Sequence, residues 1–239
     1  MTETFLDIPV DVTTTEDALG AAAAAVAEGP PLLIVAVNPE KVVKAQRDPE
    51  LRAFIEAAGL RIADGVGLLV ASRLRGGRLR ERVTGIDLFL ALCGRARQEG
   101  WSVYLLGARS EVVHAAAQEL SRRLPGISVV GLRDGYFARS DAVEVASEIA
   151  RSGADLLFVA LGSPLQEAFL RQHGPATRAR VLMGVGGSFD VLAGRVPRAP
   201  QAMRALGLEW LYRLWREPRR IGRMLALPIF LVRAVLRGS

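Results

Sequence analysis

The sequence contains very little cysteine and histidine. Its 239 residues include one cysteine, Cys93, and two histidines, His114 and His173. A single thiol excludes a disulfide scaffold and a cysteine-based zinc site, and two distant imidazoles leave little for histidine-based metal chemistry. We therefore expect these three residues to be structural, and we expect neither a bound metal nor a cofactor.

Long apolar runs are also absent. The longest run near the C-terminus covers residues 224–232, is interrupted by Pro228 and is closed by Arg233, whereas a membrane-spanning helix needs about 20 apolar residues. The N-terminus is acidic and places no basic segment before the alanine run at 21–25, unlike a signal peptide. We expect a cytoplasmic protein that associates peripherally with the inner face of the membrane.

Acidic residues are scarce at one end of the chain. Residues 195–239 contain ten arginines and two glutamates, a net charge of +8, which leaves −2 of the total of +6 for residues 1–194. Such a basic block attracts phosphate, nucleic acid or an anionic membrane. We predict a catalytic core over 1–194 and a basic, amphipathic helical appendage over 195–239 that associates with the membrane.

Continuous apolar runs alternate with helical patterns along the core. The runs lie at residues 32–37, 102–106, 127–130, 155–161 and 180–183, and helices are predicted at about 111–124 and 141–152. Continuous hydrophobicity indicates a parallel sheet covered on both faces. The predicted fold is therefore α/β and Rossmann-like, with a mainly parallel sheet and helices on both faces. Ligands bind such sheets beyond the carboxyl ends of the strands. These ends are Asn38, Asp64-Gly65, Gly107, Gly162 and Gly186-Gly187.

A glycine-rich segment at residues 184–190 (GVGGSFD) has two interpretations. It does not match the dinucleotide pattern G-x-G-x-x-G, because Phe189 stands in place of the third glycine. The segment fits two roles about equally well: a loop whose backbone N–H groups bind a diphosphate, or a plain turn. The sequence has neither a Walker A motif nor an Asp-x-Asp pair, which argues against metal-dependent transfer of a nucleotide sugar.

Polar residues near the predicted strand ends are candidates for chemistry. Asn38, followed by proline, is typical of a helix N-cap. Asp64 suits either an N-cap or a general base in a cleft, and Arg82 suits either a surface charge or an anion ligand. Glu167 in the first turn of a helix is explained by the helix dipole. Gln166 beside it has no such structural explanation.

Arginines in the appendage recur at helical spacing. Arg213, Arg216, Arg220 and Arg223 are separated by three, four and three residues. This spacing places them on one helical face if Pro218 only begins a new turn. Trp210, Tyr212 and Trp215 are interleaved with them. The pattern fits a solvated basic face, but the aromatic residues favour an interfacial or phosphate-binding role.

Nine short segments, taken together and in order, carry a family resemblance. They are residues 38–40 (NPE), 63–67 (ADGVG), 81–85 (ERVTG), 106–107 (LG), 134–137 (DGYF), 162–167 (GSPLQE), 184–190 (GVGGSFD), 198–200 (RAP) and 207–213 (GLEWLYR). In this order they resemble the WecG/TagA/CpsF glycosyltransferases, over about residues 32–223.

The resemblance implies an inverting, metal-independent transfer of a sugar from a UDP donor to a sugar on undecaprenyl diphosphate. The favoured donor sugar is N-acetylmannosamine, and the favoured acceptor is N-acetylglucosaminyl-diphospho-undecaprenol, joined by a β-1,4 linkage in teichoic-acid-like biosynthesis. UDP-glucose, UDP-galactose or UDP-N-acetylmannosaminuronic acid, used in capsule, exopolysaccharide or enterobacterial-antigen assembly, are alternatives. Ala36 stands where teichoic-acid members carry threonine, and this departure weakens the assignment of the donor sugar more than that of the reaction class. A non-catalytic nucleic-acid-binding protein would explain the basic tail but not the polar strand ends.

The resemblance also assigns roles to individual residues. Asp64 matches a proposed catalytic base, and Asn38, Arg82 and Gln166 match polar groups of the active site. Residues expected to bind the nucleotide sugar are Gly107, Tyr136, Gly162, Gly187 and Asp190. Residues expected to reach the acceptor diphosphate at the membrane are Arg213, Arg220 and Arg223. No nucleic acid partner is implied, and self-association through the core is compatible with the family.

Overall fold

A six-stranded parallel sheet forms the centre of the molecule. The computed structural model describes residues 1–205, 207–216 and 226–236. Its strands are β1 (Thr2–Phe5) and β2 (Ile8–Asp11), which form a separate hairpin, then β3 (Leu32–Val37), β4 (Leu60–Ala63), β5 (Ser102–Gly107), β6 (Ser128–Arg133), β7 (Leu156–Ala160) and β8 (Val181–Gly184). Across the large sheet the order is β4-β3-β8-β7-β5-β6. The predicted parallel sheet is confirmed.

Helices cover both faces of this sheet. One face carries α1 (Thr15–Ala27), α5 (Gly85–Glu99), α6 (Ser110–Arg123) and α9 (Ser188–Leu192). The other carries α2 (Pro39–Ala45), α3 (Pro49–Glu56), α4 (Val66–Leu74), α7 (Ala142–Ser152) and α8 (Leu165–His173). Short 3₁₀ turns at Arg139–Asp141 and Pro175–Thr177 and the C-terminal helices α10 (Gln201–Ala205), α11 (Glu209–Arg216) and α12 (Ala226–Leu236) complete the described elements. The predicted α/β layering is confirmed.

Two helices that begin at the carboxyl edge of the sheet start with side-chain caps. The Oδ1 atom of Asn38 accepts a hydrogen bond from the Lys41 N–H at 2.8 Å, and Pro39 occupies the first turn of α2, where its missing N–H costs nothing. Thr84 caps α5, because its hydroxyl accepts from the Asp87 N–H at 3.2 Å. The N-cap predicted at Asn38 is therefore confirmed.

Three buried phenylalanines fix the helices of one face to the sheet. Phe89 of α5 meets Phe158 of β7 edge-on, with ring centroids 4.7 Å apart, and its centroid lies 5.8 Å from that of Phe189 in α9. Burial of each such ring contributes about 1.5–3 kcal/mol. Phe189, the residue that interrupts the glycine pattern, therefore anchors the glycine-rich segment to the core.

The N-terminal hairpin is not anticipated by the sequence patterns. Its four-residue strands pair antiparallel, and the turn between them uses Leu6 and Asp7 at positive φ (48° and 64°) instead of the usual Asn-Gly or Gly signal. Phe5 and Ile8 are nevertheless fully buried. The hairpin is thus part of the core.

The C-terminal helix α12 also belongs to the packed body. Phe230 is fully buried, with its ring centroid 5.9 Å from that of Phe5, and Ala234 is buried as well. Leu227 lies so close to α4 that a methyl group on Gly67 would approach its Cδ1 to 2.5 Å. None of the helices within 1–205, 207–216 and 226–236 has the length and apolarity to cross a bilayer.

Candidate active site

The chain leaves neighbouring strands of the sheet in opposite directions, which opens a crevice at the carboxyl edge. After β5 it enters α6 on one face, whereas after β7, the adjacent strand, it enters α8 on the other face. The same divergence occurs between β3, which leads to α2, and β8, which leads to α9. Such switch points are where open α/β sheets bind ligands.

The chain packs closely where β5 and β7 end, so that two glycines there have no room for a side chain. A Cβ atom on Gly107 would lie 2.5 Å from the carbonyl group of Ala160, and one on Gly135 would lie 2.6 Å from Leu161 Cδ2. The Ala108 N–H donates to the Ala160 carbonyl at 2.9 Å, and the Gly135 N–H donates to the Ala108 carbonyl at 2.9 Å. These contacts hold the loops after β5 and β6 against the end of β7.

Arg109 interacts electrostatically with two residues that were predicted to bind the nucleotide sugar, Tyr136 and Asp190. Tyr136 is 75% exposed, and its backbone N–H donates to Asp134 Oδ1 at 2.9 Å. The Tyr136 hydroxyl raises the pKa of the Arg109 guanidinium, and the charges of Glu111 and Asp190 raise it further. Arg109 therefore interacts with the phenol of Tyr136 and more weakly with the carboxylate of Asp190.

Asp64 follows β4, next to Asn38 after β3. Val37 pairs with Ala63 in the parallel register, so the two polar residues occupy adjacent strand ends, and the Asp64 N–H donates to the Val37 carbonyl at 2.7 Å. The N-cap of α4 is Gly65, and no side chain caps that helix. The N-cap interpretation of Asp64 is therefore wrong, and its role as a general base stays a prediction.

Gln166 reaches across the end of β8. Its Oε1 accepts a hydrogen bond from the Gly186 N–H at 3.1 Å, and a Cβ on Gly184 would lie 3.0 Å from its Nε2. The sequence gives no structural reason for Gln166, but the structure supplies one: the amide supports the glycine-rich loop. Neighbouring Glu167 is buried and pairs with Lys41 at 3.1 Å.

The loop that carries Arg82 is tied to the N-terminal part of the chain. Glu81 Oε1 accepts from the Thr15 N–H at 3.0 Å and from the Thr15 hydroxyl at 2.6 Å. Glu3 Oε1 accepts from the Leu79 N–H at 2.8 Å. A Cβ on Gly85, which follows the loop, would lie 3.5 Å from that of Ala36. Gly85, three residues after the half-buried Arg82, thereby lies close to the end of β3.

Comparison with known proteins identifies the family. The model of the glycosyl transferase WecG/TagA/CpsF family matches residues 3–238. The chain belongs to this glycosyltransferase family. The match is longer than the stretch of about 32–223 expected from the motifs, because it takes in the N-terminal hairpin and α12.

Two curated relatives of this glycosyltransferase carry the same name, N-acetylglucosaminyldiphosphoundecaprenol N-acetyl-beta-D-mannosaminyltransferase. The protein of Bacillus spizizenii (strain ATCC 23059 / NRRL B-14472 / W23) is 40% identical over 204 residues, 85% of this chain and 78% of the relative. That of Bacillus subtilis (strain 168) is 39% identical over 196 residues, 82% of this chain and 76% of the relative. The expected glycosyltransferase family is confirmed.

The C-terminal arginines of the glycosyltransferase are described only in part. Arg213 lies in α11, whereas Arg220 and Arg223 lie outside the described residues. In α11, Trp215 is 73% exposed, with its ring centroid 6.3 Å from that of Tyr212. Grouping of the three arginines at the acceptor stays a prediction.

Cysteine and histidine make structural contacts in the glycosyltransferase. Cys93 is buried in α5, and burial raises the pKa of its thiol. His114 Nδ1 lies 2.7 Å from the Ser110 carbonyl, one turn earlier in α6. The ring of His173 packs 5.5 Å from that of Phe169.

Lys41 and Arg109 are candidates that the sequence patterns did not single out. Lys41 follows the confirmed cap at Asn38, and its partner Glu167 is distant in the sequence. Arg109 occupies the N-cap position of α6 without capping it. Arg109 could have been found from its position, because it stands at a strand-to-helix junction where a capping residue is usual.

Proposed function

We propose that this glycosyltransferase transfers N-acetylmannosamine from a UDP donor to N-acetylglucosaminyl-diphospho-undecaprenol, with inversion at the anomeric carbon. The names of two relatives about 40% identical to the chain support this donor sugar, this acceptor and a β linkage in the product. The observation that carries the proposal is the position of Asp64, which stands at the crevice beside Asn38 and does not cap the helix that follows.

Asp64 acts as the general base in the proposed reaction. Its carboxylate takes the proton of the acceptor hydroxyl while that oxygen forms a bond to the anomeric carbon. On the opposite side of the sugar ring the bond between that carbon and the UDP oxygen breaks, and UDP leaves with the electron pair. One displacement of this kind inverts the anomeric configuration, in agreement with a β-linked product.

The departing UDP carries negative charge that the enzyme has to stabilise. The loop at 184–187 lies next to the sheet edge, where Gln166 holds it through the Gly186 N–H. Arg109, which follows β5 and interacts with the Tyr136 hydroxyl, offers a guanidinium. We assign the nucleotide to this side of the crevice, with Gly107 and Gly162 as its floor, and we assign no metal to the reaction.

The acceptor diphosphate belongs on the other side, near Asp64. We assign Arg213, Arg220 and Arg223 to it, because arginine forms bidentate contacts with phosphate oxygens. The exposed Trp215 beside Tyr212 suits the membrane interface, where aromatic side chains are stable. We propose that the enzyme works on the inner face of the membrane that holds its lipid-linked acceptor.

Transfer by the full-length enzyme tests this function. UDP release is measured with UDP-N-acetylmannosamine, UDP-N-acetylmannosaminuronic acid, UDP-glucose and UDP-galactose in turn, on a short-chain lipid diphosphate bearing N-acetylglucosamine. We expect fastest release with UDP-N-acetylmannosamine and a disaccharide product with a β linkage. Preference for another donor would reassign the sugar. Tighter binding of duplex DNA than of UDP, without any transfer, would overturn the proposal.

The variant Asp64→Asn tests the assignment of the base. Asparagine keeps the size of the side chain but cannot take a proton, so we expect transfer to fall by at least about 100-fold. UDP binding, measured by calorimetry, should stay within about twofold, since the nucleotide lies on the other side of the crevice. Turnover close to that of the unaltered enzyme would rule out Asp64 as the base.

A further inference from the structure

A buried ion pair bridges the sheet next to the proposed active site. Lys41 Nζ lies 3.1 Å from Glu167 Oε1, and the two side chains are only 15% and 6% exposed. Lys41 belongs to α2, which follows β3, and Glu167 belongs to α8, which follows β7. Because β8 lies between β3 and β7, the pair links helices from strands on either side of it.

Stability alone is a poor explanation for this pair. Removal of two charges from water is costly, and apolar residues of similar size often stabilise a protein as well as a buried ion pair does. Glu167 Oε2 is also buried and has no hydrogen-bond partner among the residues that the structure describes. A carboxylate retained only for stability is normally satisfied at both oxygens.

Hydrogen bonds connect the residues of the pair to predicted site residues on both sides. On the α2 side, the backbone N–H of Lys41 donates to Asn38 Oδ1 at 2.8 Å. On the α8 side, Gln166 Nε2 lies 3.4 Å from Glu167 Oε1, and Gln166 Oε1 accepts from the Gly186 N–H at 3.1 Å. The chain of contacts thus runs from the end of β3 to the loop after β8.

We propose that Lys41 and Glu167 are positioning residues, which set the distance between Asn38 and Gln166 and hold the glycine-rich loop at the donor sugar. This inference rests on the proposed function. The charges attract each other across the end of β8, and Glu167 orients the Gln166 amide so that its oxygen faces Gly186. Neither residue touches a reacting atom.

We expect loss of the ion pair to lower turnover more than nucleotide binding. Gln166 holds the loop at 184–187, which we assign to the charge that develops as UDP leaves, so displacement of the loop weakens the transition state more than the bound UDP-sugar. A displacement of about 1 Å of a positioning group lowers rates by up to about 100-fold. We therefore expect loss of the pair to lower kcat 10- to 100-fold and to change the KM for the UDP-sugar less than threefold.

Four variants of the full-length enzyme separate positioning from stability. They are Lys41→Met, Glu167→Leu, the double variant with both changes, and Glu167→Gln, which keeps the shape of the side chain. Each single apolar change leaves one buried charge without its partner, so we expect a lower Tm and a lower kcat. The double variant removes both charges, so its Tm should return to that of the unaltered enzyme while kcat stays 10- to 100-fold lower.

Recovery of kcat along with Tm in the double variant would overturn the proposal, because the pair would then be merely structural. If the double variant does not fold, Glu167→Gln decides, with an expected loss of about tenfold in kcat at constant UDP affinity. The matched control is Arg171→Gln. Arg171 pairs with Glu50 at 2.9 Å and also joins α8 to the connection between β3 and β4, but Glu50 is exposed. This control should keep full activity.

Amide hydrogen exchange supplies a readout that needs no substrate. The Gly186 N–H is bonded to Gln166, so we expect its exchange to become at least tenfold faster in the double variant and to stay unchanged in Arg171→Gln. Unchanged protection in the double variant would refute positioning even if the enzyme transferred none of the sugars offered. Absence of transfer by the unaltered enzyme would instead refute the proposed function.

Discussion

Replacement of Gly107 by alanine tests whether the crevice floor needs a residue without a side chain. Gly107 has a φ of +122°, which costs an L-residue about 1–3 kcal/mol. The added Cβ would lie 2.5 Å from the carbonyl carbon and oxygen of Ala160, and backbone cannot move aside as a flexible side chain does. We expect a total loss of about 3 kcal/mol or more. In a chain of 239 residues this corresponds to a fall in Tm of roughly 6–12 °C.

A second glycine separates the backbone cost from the steric cost. Gly126, before β6, has a φ of +90°, and a Cβ there would meet nothing within 4 Å. Gly126→Ala should therefore lose only about 1–2 kcal/mol and bind UDP normally. Thermal unfolding and calorimetric titration with UDP measure both variants. Equal losses of Tm in the two, with unchanged UDP affinity in Gly107→Ala, would refute the steric reasoning and the assignment of the floor to the nucleotide.

Three further predictions concern the packing around the site. Phe89→Ala removes the ring that joins Phe158 and Phe189 and should cost about 3–5 kcal/mol in urea unfolding. Glu3→Gln weakens the acceptor that holds the Leu79 N–H; we expect a loss of about 1–3 kcal/mol and a lower kcat, since that loop carries Arg82. The pKa of Glu148 is lowered: burial opposes ionisation, but hydrogen bonds from Tyr104 and Arg133 outweigh it. At pH values above the ordinary pKa of glutamate, the ionised Glu148 therefore stabilises the folded protein, and this contribution is lost as the pH falls. Glu148→Gln should be the less stable protein at pH 7, and the difference should shrink toward pH 3.

Elements encoded by local sequence could be predicted well. The strand at Leu32–Val37 has the predicted bounds, and the cap at Asn38 forms as expected, because hydrophobic continuity and helix capping depend on a few neighbouring residues. The N-terminal hairpin was not predicted because its local sequence signals are weak. Its strands are short, and Leu6 and Asp7 form the turn without the residues that usually mark one.

The environment of the site could be predicted only in part. Family motifs point to Asp64, Asn38 and Gln166. Asp64 and Asn38 follow neighbouring strands, and Gln166 reaches the loop after β8 from α8. The partnership of Lys41 with Glu167 has no local signature, because the two are far apart in sequence and meet only when α2 and α8 pack. Glu167 was explained by the helix dipole alone, which accounts for its charge but not for its burial.

The described residues that flank the basic stretch at 208–226 pack close to Asp64. On one side of residues 208–226, Gly207 packs so closely that its Cβ would lie 2.9 Å from Val66 Cγ2; on the other, Leu227 packs against Gly67. Val66 and Gly67 are the first two residues of α4, directly after the Asp64-Gly65 turn. The described residues at both ends of this basic stretch therefore pack beside the proposed base, and we expect the stretch to attract an anionic acceptor toward Asp64. We expect a near-neutral core with a strongly basic C-terminal part in an enzyme whose acceptor is a lipid-linked diphosphate, because concentrated positive charge attracts phosphate.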